Sequence, residues 1–165
     1  WNKANKTNAD DALINEAKKY KSAEEFVNET AIRHQTAEIQ PIKNPNDIVL
    51  YHGTAVRNYD SLTKPPLEKS TMDRIYGDYF YATNKRAETE TYGRYVAQLN
   101  IPKEKILTLD QYRQLPSPKP SDEQLFKKYW AIEAPDNEFI IKDVNKVKEY
   151  TKSQLTDIWE KANKR

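Results

Sequence analysis

No cysteine occurs in this chain. That excludes a disulfide framework and thiolate chemistry, and it leaves reducing and oxidising compartments equally open. No apolar run approaches the roughly 20 residues that a helix needs to span a bilayer, so a soluble chain without a membrane partner is expected. Charge of one sign is missing as well. The 27 basic and 25 acidic residues nearly cancel to +2, which gives no strong electrostatic argument for nucleic acid or an anionic membrane. No metal centre is expected. No signal peptide is visible, and the first residue is Trp1 rather than methionine. We therefore expect a module of a longer polypeptide with its targeting information elsewhere.

What is present suits one domain with a helical appendage: 165 residues, 37% apolar and 32% charged. That length can bury a real core under a very polar surface. The two ends resemble each other. Trp1–Asn–Lys–Ala–Asn–Lys6 returns as Trp159–Glu–Lys–Ala–Asn–Lys164, identical at five of six positions. Two explanations stand: chance in a Lys/Asn-rich chain, or a linker helix repeated between modules. The separation is too long for a solenoid repeat of about 20–50 residues.

Taken in order, residues 9–33 read as helical, with a capping box at Ser22–Ala–Glu–Glu25 opening a second helix through about Arg33. His34 to Asp47 is a connector containing Pro41 and Pro45. Ile48 to Tyr51 is a short apolar strand that delivers His52, Gly53 and Thr54 at its end. Residues 55–62 read as a short helix stopped by Thr63–Lys–Pro–Pro66, and 67–76 as a loop. Tyr79 to Thr83 is strand-like by aromatic content, followed by a helix to about Gly93. Tyr95–Ile101 and Lys105–Leu109 are further strands. Leu115–Pro120 is turn-rich, Ser121–Asp–Glu–Gln124 caps a helix through about Ile132, and Glu138–Ile141 is a strand. Thr151 onward is a helix with Leu155, Ile158, Trp159 and Ala162 on one stripe. The class is α+β. We divide the chain into an N-terminal helical segment, 1–46, a core, 47–150, and a C-terminal helix or linker, 151–165.

Three of the strands carry motifs. Tyr51–His–Gly–Thr54 resembles the His-Gly-Ser/Thr motif of the ADP-ribosyltransferase superfamily, in its diphtheria-toxin and poly(ADP-ribose)-polymerase branch. Phe80–Tyr–Ala–Thr83 is similar to that family's Ile-Tyr-Phe-Ala/Ser/Thr signature. Asn137–Glu–Phe–Ile–Ile–Lys–Asp143 is similar to its Asn-Glu-Tyr-Ile-Val-Tyr-Asp stretch. The resemblance covers roughly residues 48–150; the first 45 residues do not match the helical regulatory domain of the polymerases.

The resemblance implies a split β-sheet core and a His-Tyr-Glu triad, here His52, Tyr81 and Glu138. The family places a hydroxyl residue about eight positions, and a nicotinamide-stacking tyrosine about eleven positions, after the triad tyrosine. Counting from Tyr81 gives Thr89 and Tyr92, whereas counting from Tyr79 gives Ala87 and Glu90. Tyr81 is therefore preferred, although Gly77–Asp–Tyr–Phe80 leaves Tyr79 as an alternative register. Asn58, six residues after His52, sits where the polymerases tend to place an asparagine. The implied co-substrate is NAD, with no metal.

Each residue has a role that this chemistry requires. Cleavage of the nicotinamide–ribose bond passes through an oxocarbenium-like state. Gly53 lets the backbone approach the carboxamide, Thr54 or Thr89 adds a hydroxyl, and Tyr81 with Tyr92 sandwiches the cationic ring. His52 bonds a ribose hydroxyl, and Glu138 stabilises the developing charge and orients the acceptor. The segment from Pro116 to Asn137 precedes Glu138 and is the natural acceptor loop, with Lys127, Lys128, Tyr129 and Trp130 as its contacts.

Every one of these residues also has an ordinary reading. A lone histidine at a strand end is usually solvated or structural, Tyr79–Phe–Tyr81 can be core aromatics, Tyr92 a helix core residue, and Glu138 an exposed strand-start carboxylate. Glu133 competes as a carboxylate but falls on an expected helix end. Ser70–Thr71 superficially fits the arginine-specific toxin branch, which needs an arginine where this chain has His52. His34 reads as surface.

The resulting expectation is a mono-ADP-ribosyltransferase acting on an unidentified acceptor, with protein favoured over nucleic acid or a small molecule. The setting is a toxin, effector or phage-type module, in a secreted or injected form among the possibilities. Alternatives are an NAD glycohydrolase, a small-molecule ADP-ribosyltransferase, an RNA 2′-phosphotransferase, or a catalytically silent NAD- or ADP-ribose-binding module.

Overall fold

The computed structural model describes residues 11–38, 44–62, 79–147 and 150–164. The hexapeptide Trp1–Lys6, Pro41, the stop at 63–66, the loop at 67–76 with Ser70–Thr71, and Gly77 lie outside them.

The centre of the molecule is a mixed seven-stranded sheet in the order β1-β4-β2-β3-β7-β6-β5, so the chain is α+β. Its long pair is β2 (Asp47–Thr54) against β4 (Tyr95–Pro102), antiparallel from Asp47↔Pro102 to Thr54↔Tyr95. β3 (Phe80–Thr83) and β7 (Glu138–Ile141) form a second antiparallel pair, from Phe80↔Ile141 to Thr83↔Glu138. Only Tyr51↔Thr83 joins the two pairs in register among the described residues. Past that point the sheet is parted between β2 and β3. On one outer side, β6 (Ala131–Glu133) runs antiparallel to β7, and β5 (Ile106–Leu107) runs parallel to β6. On the other, β1 (Arg33–His34) pairs with β4.

Alternation gives the sheet two apolar faces. Leu50, Leu99, Ile101, Phe80, Phe139 and Ile141 bury into one cluster. Ile132, Ile140 and Leu107 face the other, where the helix Asp122–Lys128 covers them with Leu125 and Phe126. That helix starts on a complete capping box, in which the Ser121 hydroxyl accepts from the Gln124 amide N–H and the Gln124 side chain accepts from the Ser121 N–H.

A third cluster joins the ends of the chain. The helical stretch 11–17, here α1, and α2 (Ala23–Ala31) contribute Ala17, Phe26 and Val27. The C-terminal helix Lys152–Asn163, opened by a Thr151/Gln154 capping box, contributes Leu155, with Trp159 and Ala162 packed beside it. Tyr59, on the 3-10 turn Tyr59–Leu62, closes the cluster. In Asp122–Lys128 and Lys152–Asn163 we have α4 and α5, because a short α3 (Leu109–Arg113) precedes them.

Several local expectations change. α2 ends at Ala31, and Ile32 turns extended at φ −126° so that Arg33–His34 can join the sheet edge. The helix expected through Ile132 stops at Lys128, because Tyr129 is extended and residues 131–133 pair with β7. Glu133 consequently lies on a strand, where its carboxylate accepts the Leu109 N–H at 3.0 Å. The strand expected at 105–109 is confined to Ile106–Leu107, since Thr108 caps α3. Among the described residues, no helix is long and apolar enough to cross a membrane.

Candidate active site

The three motif strands are consecutive neighbours in the sheet, β2-β3-β7. Tyr51, Thr83 and Glu138 fall in one row across them. With neighbouring strands about 4.8 Å apart, Glu138 sits about 10 Å from the β2 backbone.

His52 stands where the sheet parts. Its Nδ1 lies 2.7 Å from the carbonyl oxygen of Tyr81, and its ring centroid is 4.0 Å from that of Phe80. The imidazole thus occupies a position where a continuous ladder would have put a backbone donor. A carbonyl oxygen only accepts, so Nδ1 carries the proton and Nε2 is left as an acceptor in the neutral ring. His52 is half-buried, and burial lowers its pKa from 6.5, with the bond to Tyr81 acting in the opposite direction.

Packing alone requires glycine at position 53. A Cβ at this position would lie 2.3 Å from the Thr89 carbonyl oxygen and 3.0 Å from the Tyr92 Cβ. The 3-10 helix Arg86–Tyr92 therefore rests directly on the end of β2. Gly93 completes the contact from the other side. It ends that helix at φ +146°, and a Cβ there would meet the Thr54 carbonyl oxygen at 2.3 Å. Two glycines, one on each partner, let backbone touch backbone.

The hydroxyl of Thr89 is buried, with 1% of the residue exposed; it donates to the Arg86 carbonyl at 2.6 Å and meets the Gln35 amide at 3.0 Å. Thr89 thus fastens the helix and faces Gly53, rather than opening to solvent. Tyr92 is the reverse, with 65% of its surface exposed. Thr54 closes a small turn, its hydroxyl accepting the Val56 N–H at 3.1 Å. Asn58 accepts the Asp60 N–H at 2.9 Å and starts the Tyr59–Leu62 turn. Its placement serves that turn.

Tyr79, just before β3, and Tyr81, on it, share a face, as alternation requires. Tyr79 is engaged with α4: its ring is 5.2 Å from Phe126, and its hydroxyl donates to the Asp122 carboxylate at 3.5 Å. Tyr81, half-buried, holds the backbone carbonyl that receives His52. Phe80 projects to the other face, against His52.

Glu138 follows two consecutive left-handed residues, Asp136 at φ 65° and Asn137 at φ 63°. Asp and Asn tolerate that region better than other side chains, and the Ala134 N–H donates to the Glu138 carbonyl at 2.8 Å to close the hairpin. The sharp turn starts β7 at Glu138, half-buried and level with Thr83. The Thr83 hydroxyl in turn donates to the Glu88 carboxylate at 2.9 Å, and Lys85 lies 3.1 Å from the same group; Lys85 and Thr83 together lower the Glu88 pKa.

Register carries the other expected contacts away from this site. Because β6 is antiparallel to β7, Trp130 lies beside the end of β7 at Ile141, three residues from Glu138 and so about 10 Å along the strand. Lys127, Lys128, Tyr129 and Trp130 therefore sit at the opposite end of β7 from the glutamate they were expected to serve. The part of segment 116–137 that does adjoin Glu138 is the turn at 134–137. A small cavity under α2 and α5 is lined by Tyr59, Leu62, Leu99 and Leu155, and an open groove lies beside α4. Neither includes His52, Tyr81 or Glu138.

Residues that no motif marks complete the arrangement. Gln35 donates to the Thr89 hydroxyl at 3.0 Å and lies 3.3 Å from the Gly93 and Tyr95 carbonyls. Arg86 donates to the Gln35 and Ala37 carbonyls at 2.6 Å. Segment 35–37 thus clamps the helix that carries Tyr92, across 49 to 54 positions of sequence, where no local pattern reveals it. Among the described residues, no group of three or more His, Cys, Asp or Glu side chains is placed to hold a metal ion. Comparison with family models, with curated proteins and with solved structures finds no match for this chain.

Proposed function

We propose that this chain is an NAD-dependent mono-ADP-ribosyltransferase built on an ADP-ribosyltransferase-like core, with His52, Tyr81 and Glu138 as its triad. One observation carries the reading: the His52 imidazole bonds the Tyr81 carbonyl at 2.7 Å across the parting of β2 and β3, while β3 pairs with β7 at Thr83↔Glu138. Three motifs that are 29 and 57 positions apart in the chain become adjacent strands with two of their marked residues in direct contact.

The donor set fits the substrate. Nε2 of a neutral His52 accepts from a ribose hydroxyl. The exposed Tyr92 ring offers a π face to the pyridinium cation. The Glu138 carboxylate opposes positive charge at the ribose C1 as the C1–N bond breaks and its electron pair leaves with nicotinamide. An acceptor nucleophile, or water, then bonds C1 and gives up its proton, with Glu138 as the base. Transfer to a macromolecule and hydrolysis share the first half of this sequence.

The test is nicotinamide release on incubation with NAD, read by chromatography, for the wild type and for Glu138→Gln. Release should fall by about a thousandfold in the variant, with little change in thermal stability because the substitution is nearly isosteric. Full activity in the variant overturns the catalytic assignment. NAD binding without release by the wild type points instead to a silent binding module. Label transferred from NAD to lysate components, followed by protease or nuclease treatment, identifies the acceptor class.

A further inference from the structure

The groove beside α4 has a composition that the catalytic reading leaves unused. It encloses about 490 Å³, and Lys127, Lys142 and Lys146 line it together with Tyr129 and Trp130. That volume is within the roughly 300–1,000 Å³ of ligand-binding concavities. The three lysines are exposed, and none forms an ion pair among the described residues. Two further ammonium groups lie over the aromatic rings: Lys128 is 5.1 Å from the Tyr129 centroid, and Lys105 is 5.7 Å from that of Trp130. Glu123 and Asp143 also line the groove. Asp143 is partly engaged, since its carboxylate caps the Val144–Lys146 turn by accepting the Asn145 N–H at 3.0 Å. The near-zero balance of the whole chain thus conceals a local excess of positive charge set around half-buried rings.

Lysines placed to meet phosphates, alternating with rings on which a base can stack, are what sequence-independent binding of single strands requires. We propose that this groove binds a segment of single-stranded nucleic acid, with phosphates on Lys127, Lys142 and Lys146 and a base stacked on Tyr129 or Trp130. A duplex hides its base faces and gains only the charge. An anionic membrane favours protruding aromatics, whereas these two line a concave wall. The proposal does not depend on NAD chemistry, and the assay contains no NAD.

Fluorescence anisotropy of a labelled oligothymidylate with the full chain tests it. Binding should weaken with salt at a slope of log K against log salt of about −2, from about 0.7 per phosphate contact on a single strand. Replacing Lys127, Lys142 or Lys146 singly by alanine should reduce the slope by about 0.7, and replacing all three should weaken binding more than tenfold at low salt. Thermal melts check that these variants remain folded. Trp130→Ala is the less informative variant, because Trp130 packs against the core. Absence of oligothymidylate binding overturns the proposal. So does an unchanged slope in the triple variant, binding to a duplex of equal length at least as tight, or stronger binding to phosphatidylserine vesicles.

Discussion

His52 has to stay neutral for its Nε2 to accept a hydrogen bond, and burial favours that form. Burial lowers its pKa in the folded chain below 6.5, so between the two values the unfolded chain binds more protons than the folded one. The contribution is fully present above pH 6.5 and is lost as the pH falls toward the lowered value. Across that window the wild type should lose up to about 1.4 kcal/mol per pH unit more than His52→Asn. Urea melts of both proteins at a series of pH values measure the difference; parallel curves refute it. Tyr92 is the complementary case. It is mostly exposed, so Tyr92→Ala should leave the melting temperature within about 2 °C, consistent with a surface change. With NAD as the proposed substrate, loss of a cation–π contact of about 0.5–2 kcal/mol should raise its KM roughly 2- to 30-fold. Steady-state kinetics decide whether the ring meets the substrate.

Among the elements, the contact between β2 and the Arg86–Tyr92 helix is the one that a single atom controls. Gly53→Ala drives a methyl group into the Thr89 carbonyl, a backbone atom that cannot swing away. We expect about 1–3 kcal/mol of destabilisation, or a fall in melting temperature of about 2–10 °C by calorimetry. An unchanged melting temperature means that the helix does not rest there in solution. The same elements explain what could be read beforehand. β2, β3, β4 and β7 were legible because apolar and aromatic runs are bounded by clear breaks. α3 has a local signal of its own, since Thr108–Leu–Asp–Gln111 is a capping box, realised in full. β6 carried none. Ala131–Ile–Glu133 follows a helical pattern without glycine or proline, and only pairing with β7 makes it a strand. β1, two residues long, exists through its partner on β4. The spacing of His52, Tyr81 and Glu138 was visible in the motifs. The Gln35–Thr89 bond was not, since it depends on the fold that brings residues 35 and 89 together.

The whole molecule is organised by one sheet and by a cluster in which both ends of the described chain take part. The Trp159 indole donates to the Tyr20 carbonyl at 3.2 Å, and the Asn163 amide lies 3.5 Å from the Ala17 carbonyl. Residues 17–20 and 159–163 are therefore neighbours, a geometry with a practical use. From residue 17 back to residue 11, the helix spans only about 9 Å, so a short glycine–serine link can join residue 164 to residue 11. Opening the chain instead at the exposed turn near Ser117 gives a circular permutant that keeps every strand pair. We expect its melting temperature to stay within about 5 °C of the original, since surface turns accept new termini; an unfolded permutant would show that the order in which the chain is made matters to how this sheet assembles. With α5 linked to α1, the permutant would carry a helical hairpin at its centre, and residues 11 and 164 would become neighbours along the chain as well as in space.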